Sequence, residues 1–169
     1  MKKNKKLPSG LKILMAGAIE KYNKRVEKVD SFVCVGLDTE FPQFELNKRI
    51  IDTTHEYVSA YKPNFAFYEA AGDKGIVELK KTIEYLQEQY PDILTIADAK
   101  RADIGSTSEH YAKGIFDWFE FDAVTLNPYL GRDAVQPFLD YENKGCIILC
   151  HTSNPGAGEL QERGDPPLW

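Results

Sequence analysis

The chain has 169 residues, is 43% hydrophobic and 28% charged, and carries a formal net charge of −5. That length supports a buried core, and the composition is that of an ordinary globular domain rather than a disordered chain. The negative balance excludes the basic footprint of a nucleic-acid binder, so any anionic ligand has to be drawn in by local cations.

Residues 1–10 form a basic tail. Leu11, Leu14, Met15, Ala18, Ile19, Tyr22 and Val26 then follow helical spacing. The apolar run is too short for a signal peptide and Lys12 interrupts it. No run in the sequence is long enough to span a membrane. Residues 32–38 read as a first strand, 39–47 as a loop and 48–58 as a helix. A second strand ends at Tyr61-Lys62-Pro63, where Pro63 suits a strand end because it lacks a ladder donor. Residues 75–90 are the clearest helix, with Ile76, Leu79, Ile83, Leu86 and Tyr90 on one stripe. Residues 93–97 read as a buried third strand, 108–119 as a helix, 123–126 as a fourth strand, 133–141 as a short helix and 146–150 as a fifth strand. Residues 153–169, rich in Gly, Pro and charge, read as a loop.

Strands and helices that alternate over short connections imply a parallel α/β sheet in one domain spanning 1–169. No G-x-G-x-x-G follows a strand, which removes support for a dinucleotide fold. Cys34, Cys146 and Cys150 are an odd set without paired metal or disulfide spacing. They fit a reduced, cytoplasmic compartment, with Cys34 and Cys146 as small core residues. His55, His110 and His151 lack metal-ligand spacing, and Asp133 reads as a helix cap. Asp38, Lys62, Asp98, Lys100 and Ser153 all fall at or just past strand ends, where parallel α/β folds place their sites.

The densest chemistry is in residues 98–105, DAKRADIG. On a strand, side chains two apart share a face, so Asp98 and Lys100 point the same way, and Asp103 follows on the loop. An Asp-Lys pair at a strand end is by itself equally compatible with a structural ion pair. The longer string DAKRADIGST, with Val35-Gly36-Leu37-Asp38, Tyr61-Lys62-Pro63-Asn64, residues 126–131 (LNPYLG) and residues 152–157 (TSNPGA), resembles the orotidine 5'-phosphate decarboxylase family in its longer bacterial-type branch.

The resemblance implies a TIM (β/α)8 barrel, of which about the first five βα units are read here. It implies metal-free decarboxylation of orotidine 5'-phosphate to UMP without a cofactor. Lys100 is then the proton donor, Asp98 the carboxylate opposing the substrate's own, and Lys62 the lysine holding this network. Asp38 contacts the ribose and Ser153 reads the pyrimidine edge. Asp103, Ile104 and Thr107 are lent to the neighbouring site of a homodimer. The family's phosphate-gripping residues belong to later strands, so the 169-residue chain alone is expected to be inactive. Two alternatives stand beside this reading: an inactive half-barrel serving as a binding or assembly module, and a magnesium-dependent sugar-phosphate decarboxylase relative.

Overall fold

A computed structural model of the chain describes residues 16–169. Five strands, β1 (Cys34–Gly36), β2 (Ala60–Lys62), β3 (Leu94–Arg101), β4 (Ala123–Leu126) and β5 (Gly145–Ile148), form one parallel sheet in sequential order. Six α-helices accompany them: α1 (Ala16–Val29), α2 (Gln43–Thr54), α3 (Phe65–Glu69), α4 (Gly72–Gln89), α5 (Gly105–Lys113) and α6 (Arg132–Leu139). Sequential order with a helix in each crossover is the arrangement of (β/α)8 units.

The sheet divides the core by strand alternation. Tyr61, Ala97 and Val124 face outward, where they join Ile51 of α2, Leu79, Ile83 and Leu86 of α4, Ala112 of α5 and Phe138 of α6. The opposite face takes Ala60, Leu94, Ile96 and Ala123, against which Ala18 of α1 packs. Small side chains let α1 approach closely. A Cβ on Gly145 would lie 3.0 Å from that of Ala123 and 3.2 Å from that of Ala18, and one on Gly17 would meet the Asn143 carbonyl at 2.5 Å.

These contacts lie at the starts of the strands, and polar clamps fix α1 there. Lys21 pairs with Asp122 at 2.7 Å. Asp122 also accepts from the Thr95 N–H at 2.9 Å and its hydroxyl at 3.0 Å. Arg25, 5% exposed, donates to the Val58 carbonyl at 2.9 Å, to Asp92 at 2.9 Å and to the His55 carbonyl. A buried guanidinium is tolerable because each face of its fork has an acceptor. The amino end of the sheet is thereby closed, and the carboxyl end is left for chemistry.

Several sequence expectations shift. β1 is only the middle of the expected 32–38 strand, and α2 begins at Gln43 inside the expected loop. The helix expected over 108–119 is α5 continued by a π-helical stretch, Gly114–Trp118. α3 was not foreseen; Asn64 starts it by accepting from the Ala66 N–H. Cys34 is exposed rather than in the core, because alternation gives the core position to Val35. Asp133 is a first-turn acid of α6 and makes no cap bond; the cap position falls on Gly131, at φ 95. Leu11, Leu14, Met15 and the basic tail lie outside the described residues.

Arg25→Met keeps the aliphatic stem but leaves two carbonyls without their donor. It is expected to lower the unfolding free energy by about 2–4 kcal/mol. Urea unfolding measures it, and a loss below about 0.5 kcal/mol would show that α1 holds without the clamp.

Candidate active site

Three charged side chains meet at the carboxyl ends of β2 and β3. Asp98 lies near the end of the buried part of β3, which closes at Ala99, and is 9% exposed. Its Oδ2 accepts from Lys62 Nζ at 2.9 Å and its Oδ1 from Lys100 Nζ at 2.6 Å. Thr125 of β4 lies within 3.1 Å of the same Oδ1. Lys62 comes from the last residue of β2, on the face opposite Tyr61. Asp38, just past β1, accepts from the Asn64 N–H at 3.2 Å, and its charge is felt at Lys62.

Local backbone explains the placement. The Asp98 N–H donates to the Pro63 carbonyl at 3.1 Å, so β2 and β3 stay paired up to the site even though Pro63 has no N–H. β3 then leaves its register with β4. Ala97 pairs with Val124 and Arg101 with Leu126, so four residues of β3 advance while β4 advances two. Lys100 sits in that bulge at φ 48, a left-handed conformation that costs a non-glycine residue about 1–2 kcal/mol. The Asp98–Lys100 contact expected from strand alternation is present, but a bulge, not a regular pleat, directs Lys100 to it.

Charge decides the protonation of Asp98 and Lys62. Burial alone would raise the Asp98 carboxyl, but hydrogen bonds and charge from Lys100 and Lys62 outweigh it and hold the group below the ordinary aspartate value. Burial alone would lower the Lys62 ammonium; the bond to Asp98 and the charges of Asp98 and Asp38 outweigh it and raise the group. Lys62 and Lys100 flank Asp98, so an anion entering there meets two ammonium groups although the chain is negative overall, with Asp38 offsetting part of their charge.

The other expected site residues stand apart. Asp103 accepts from the Ile104 N–H at 2.7 Å, and Ile104 is 66% exposed. Thr107 is exposed in the first turn of α5. Ser153 is exposed on the loop after β5 and lines an open cleft of about 370 Å³ with His151, Asn154 and Glu162. That loop is folded on itself by His151–Glu162 at 3.1 Å and by Thr152–Gln161 bonds of 2.8 Å. None of Lys62, Asp98 and Lys100 lines the cleft. Among the described residues no three His, Cys, Asp or Glu side chains gather in a metal-binding arrangement.

Two contributors escaped the sequence reading. Arg101 reaches back to Glu69 of α3 and lies over the rings of Phe65 and Tyr111, at 5.6 Å and 5.2 Å. Thr125 is the hydroxyl in an otherwise apolar strand, and that mismatch was its available signal.

Residues 31–166 match the profile of the family described as orotidine 5'-phosphate decarboxylase / HUMPS. A curated orotidine 5'-phosphate decarboxylase of Christiangramia forsetii is 50% identical over 164 residues, covering 89% of this chain and 60% of that protein. One from Flavobacterium johnsoniae is 51% identical over 154 residues, covering 84% of this chain and 56% of its own length. The chain thus spans somewhat over half the length of these curated relatives. The solved Leishmania donovani OMP decarboxylase superposes with a TM-score of 0.82 at 38% identity, covering 90% of this chain and 61% of that one.

The lowered carboxyl of Asp98 sets a sign for pH dependence. A depressed folded-state value contributes stability that is fully present above the unfolded value of about 3.9 and is lost as pH falls through the folded value. The stability difference between the parent and Asp98→Asn should therefore be constant near neutrality and shrink below about pH 4. Paired urea titrations from neutral pH into the acid range measure it. A difference that stays flat throughout would contradict an ionised, lysine-held Asp98.

Proposed function

The chain belongs to the orotidine 5'-phosphate decarboxylase / HUMPS family, and from that membership we propose that it serves the decarboxylation of orotidine 5'-phosphate to UMP. The observation that carries the reading is the Lys62–Asp98–Lys100 cluster at the carboxyl ends of two adjacent strands. In this reaction the bond from C6 to the carboxylate breaks, carbon dioxide leaves, and the electron pair stays on C6. Lys100 Nζ then delivers a proton to C6. Asp98 faces the substrate carboxylate, Lys62 and Asp38 hold the ribose, and Ser153 meets the pyrimidine edge.

Magnitudes apportion the work. Two carboxylates about 4 Å apart repel by roughly 4 kcal/mol at an effective dielectric near 20. That amounts to about three decades of rate. Ground-state repulsion by Asp98 therefore supplies only part of a large acceleration. The preorganised charge of Lys100, in place before C6 becomes negative, supplies more because it costs no reorganisation. Binding energy from the remote phosphate closes the site around the reacting carbon.

The magnesium-dependent sugar-phosphate reading fits less well. It needs a carboxylate near the end of β2, and Lys62 stands there with its ammonium on Asp98. A cation in that place opposes a divalent metal. All three cysteines are free, which suits a reducing compartment such as the cytoplasm.

Lys100→Ala in the full-length gene product should abolish nearly all UMP formation while leaving the fold intact. Retention of more than about a tenth of parental turnover, a loss under about 1.4 kcal/mol, would remove Lys100 from the proton-donor role.

The proposal includes a homodimer with shared sites. Asp103 makes no hydrogen bond or ion pair to the Asp98 cluster among the described residues, and Ile104 beside it is exposed. Asp103, Ile104 and Thr107 would thus serve a neighbouring subunit. Mixed full-length Asp103→Ala and Lys100→Ala proteins should recover up to about a quarter of parental activity, because half the dimers are hybrids with one intact site. No recovery after subunit exchange has been confirmed would rule out sharing.

A further inference from the structure

β4 carries one hydroxyl on the face it shares with Lys62 and Asp98, and the reaction proposed above gives it no task. Thr125 is 7% exposed and lies on β4 between Val124 and Leu126, directly opposite the stretch where β3 loses register. Its Oγ1 accepts from the Ala99 N–H at 3.1 Å and from the Lys100 N–H at 3.0 Å. It stands 3.1 Å from Asp98 Oδ1 and 3.4 Å from the Ala97 carbonyl. A hydroxyl has one proton and two lone pairs. The two amides fill the lone pairs, and the proton goes to the nearer, ionised acceptor, Asp98.

We infer that Thr125 is a positioning residue: its hydroxyl holds the β3 bulge in the shape that brings Lys100 onto Asp98. At the bulge the amides of Ala99 and Lys100 both turn to the Thr125 hydroxyl instead of a strand carbonyl, and amides shielded from water need partners. Thr125 supplies both from one oxygen. It thereby stabilises the left-handed turn at Lys100, which a regular strand would not contain. The same oxygen fixes the carboxylate plane of Asp98 by its third bond, after those of Lys62 and Lys100. The carboxylate of Asp98 and the backbone of Lys100 are thus both set by one hydroxyl, which makes no hydrogen bond to the proton-donating Lys100 Nζ. The inference rests on the proposed decarboxylation only for its kinetic consequence; the hold on the bulge is a property of the fold.

Thr125→Val keeps the shape and removes the hydroxyl, and Thr125→Ser keeps the hydroxyl and removes a methyl. In the full-length gene product, Thr125→Val should lower kcat ten- to a hundredfold, about 1.4–2.7 kcal/mol, with KM changed less than about threefold. Thr125→Ser should stay within about threefold of the parent. Amide hydrogen exchange at Ala99 and Lys100 should quicken in Thr125→Val and not in Thr125→Ser, while Val124 in the regular ladder is unaffected. Unchanged exchange, unchanged kcat, or equal losses in the two variants would each overturn the inference. Should Thr125→Val fail to fold, Thr125→Ala against Thr125→Ser carries the same comparison. Collapse of both hydroxyl-free variants would show a purely structural hydroxyl and also overturn it. A parent without UMP-forming activity would defeat the functional reading alone, because the exchange comparison is read without turnover.

Discussion

Asp98 accepts hydrogen bonds from three directions: Lys62 on β2, Lys100 on its own strand and Thr125 on β4. A carboxylate this buried persists as a charge only where such partners compensate its lost hydration. The dependence runs both ways. Without Asp98 the two ammonium groups would face each other with no acceptor between them, and the carboxyl end of the sheet would lose the link between its three central strands. The fold and the proposed reaction therefore draw on one ion cluster, and a substitution there cannot be read as catalytic until its effect on the fold has been measured.

The two ends of the sheet divide the labour. At the amino end, Arg25, Lys21 and Asp122 tie α1 to the strand starts, and Gly17, Ala18 and Gly145 allow close packing. At the carboxyl end, Lys100 holds a left-handed backbone, and three charges lie within hydrogen-bonding distance. Local strain of this kind survives only where the surroundings over-determine it. The buried outward face, from Ile51 through Phe138, supplies that rigidity without taking part in the chemistry.

The alternation of strands and helices was legible because hydrophobic period is a local property. β4 was located to the residue, and the stripe on α4 from Ile76 to Leu86 located that helix. The placement of Lys62 and Asp98 at the ends of β2 and β3 was legible for the same reason, since a charge that closes an apolar run marks a strand end. The bulge was not legible, because register is set between strands and leaves no period in either one. Without the bulge, Thr125 reads as an ordinary β-branched strand residue. α3 was missed although Pro63 and Asn64 formed a start signal, because five residues are too few to show a helical period. Cys34 was misplaced because β1 is three residues long, and alternation over so short a strand does not fix which face is inward.

The bulge also changes what the motif DAKRADIG encodes. Two-residue spacing alone would put Asp98 and Lys100 side by side on any strand, and many structural ion pairs meet that condition. Here the spacing is interrupted by a positive φ at Lys100 itself, and the amides of Ala99 and Lys100 are captured by a neighbouring strand. A regular strand would not place both amides on one hydroxyl and would not contain a left-handed lysine. Lys100 is half-exposed while Asp98 is buried, so solvent screens their pair, and its contribution, on the order of 1 kcal/mol, is about what the left-handed turn costs. An ion pair alone does not account for that geometry; the Thr125 hydroxyl, bonded to both amides and to Asp98, holds it in place.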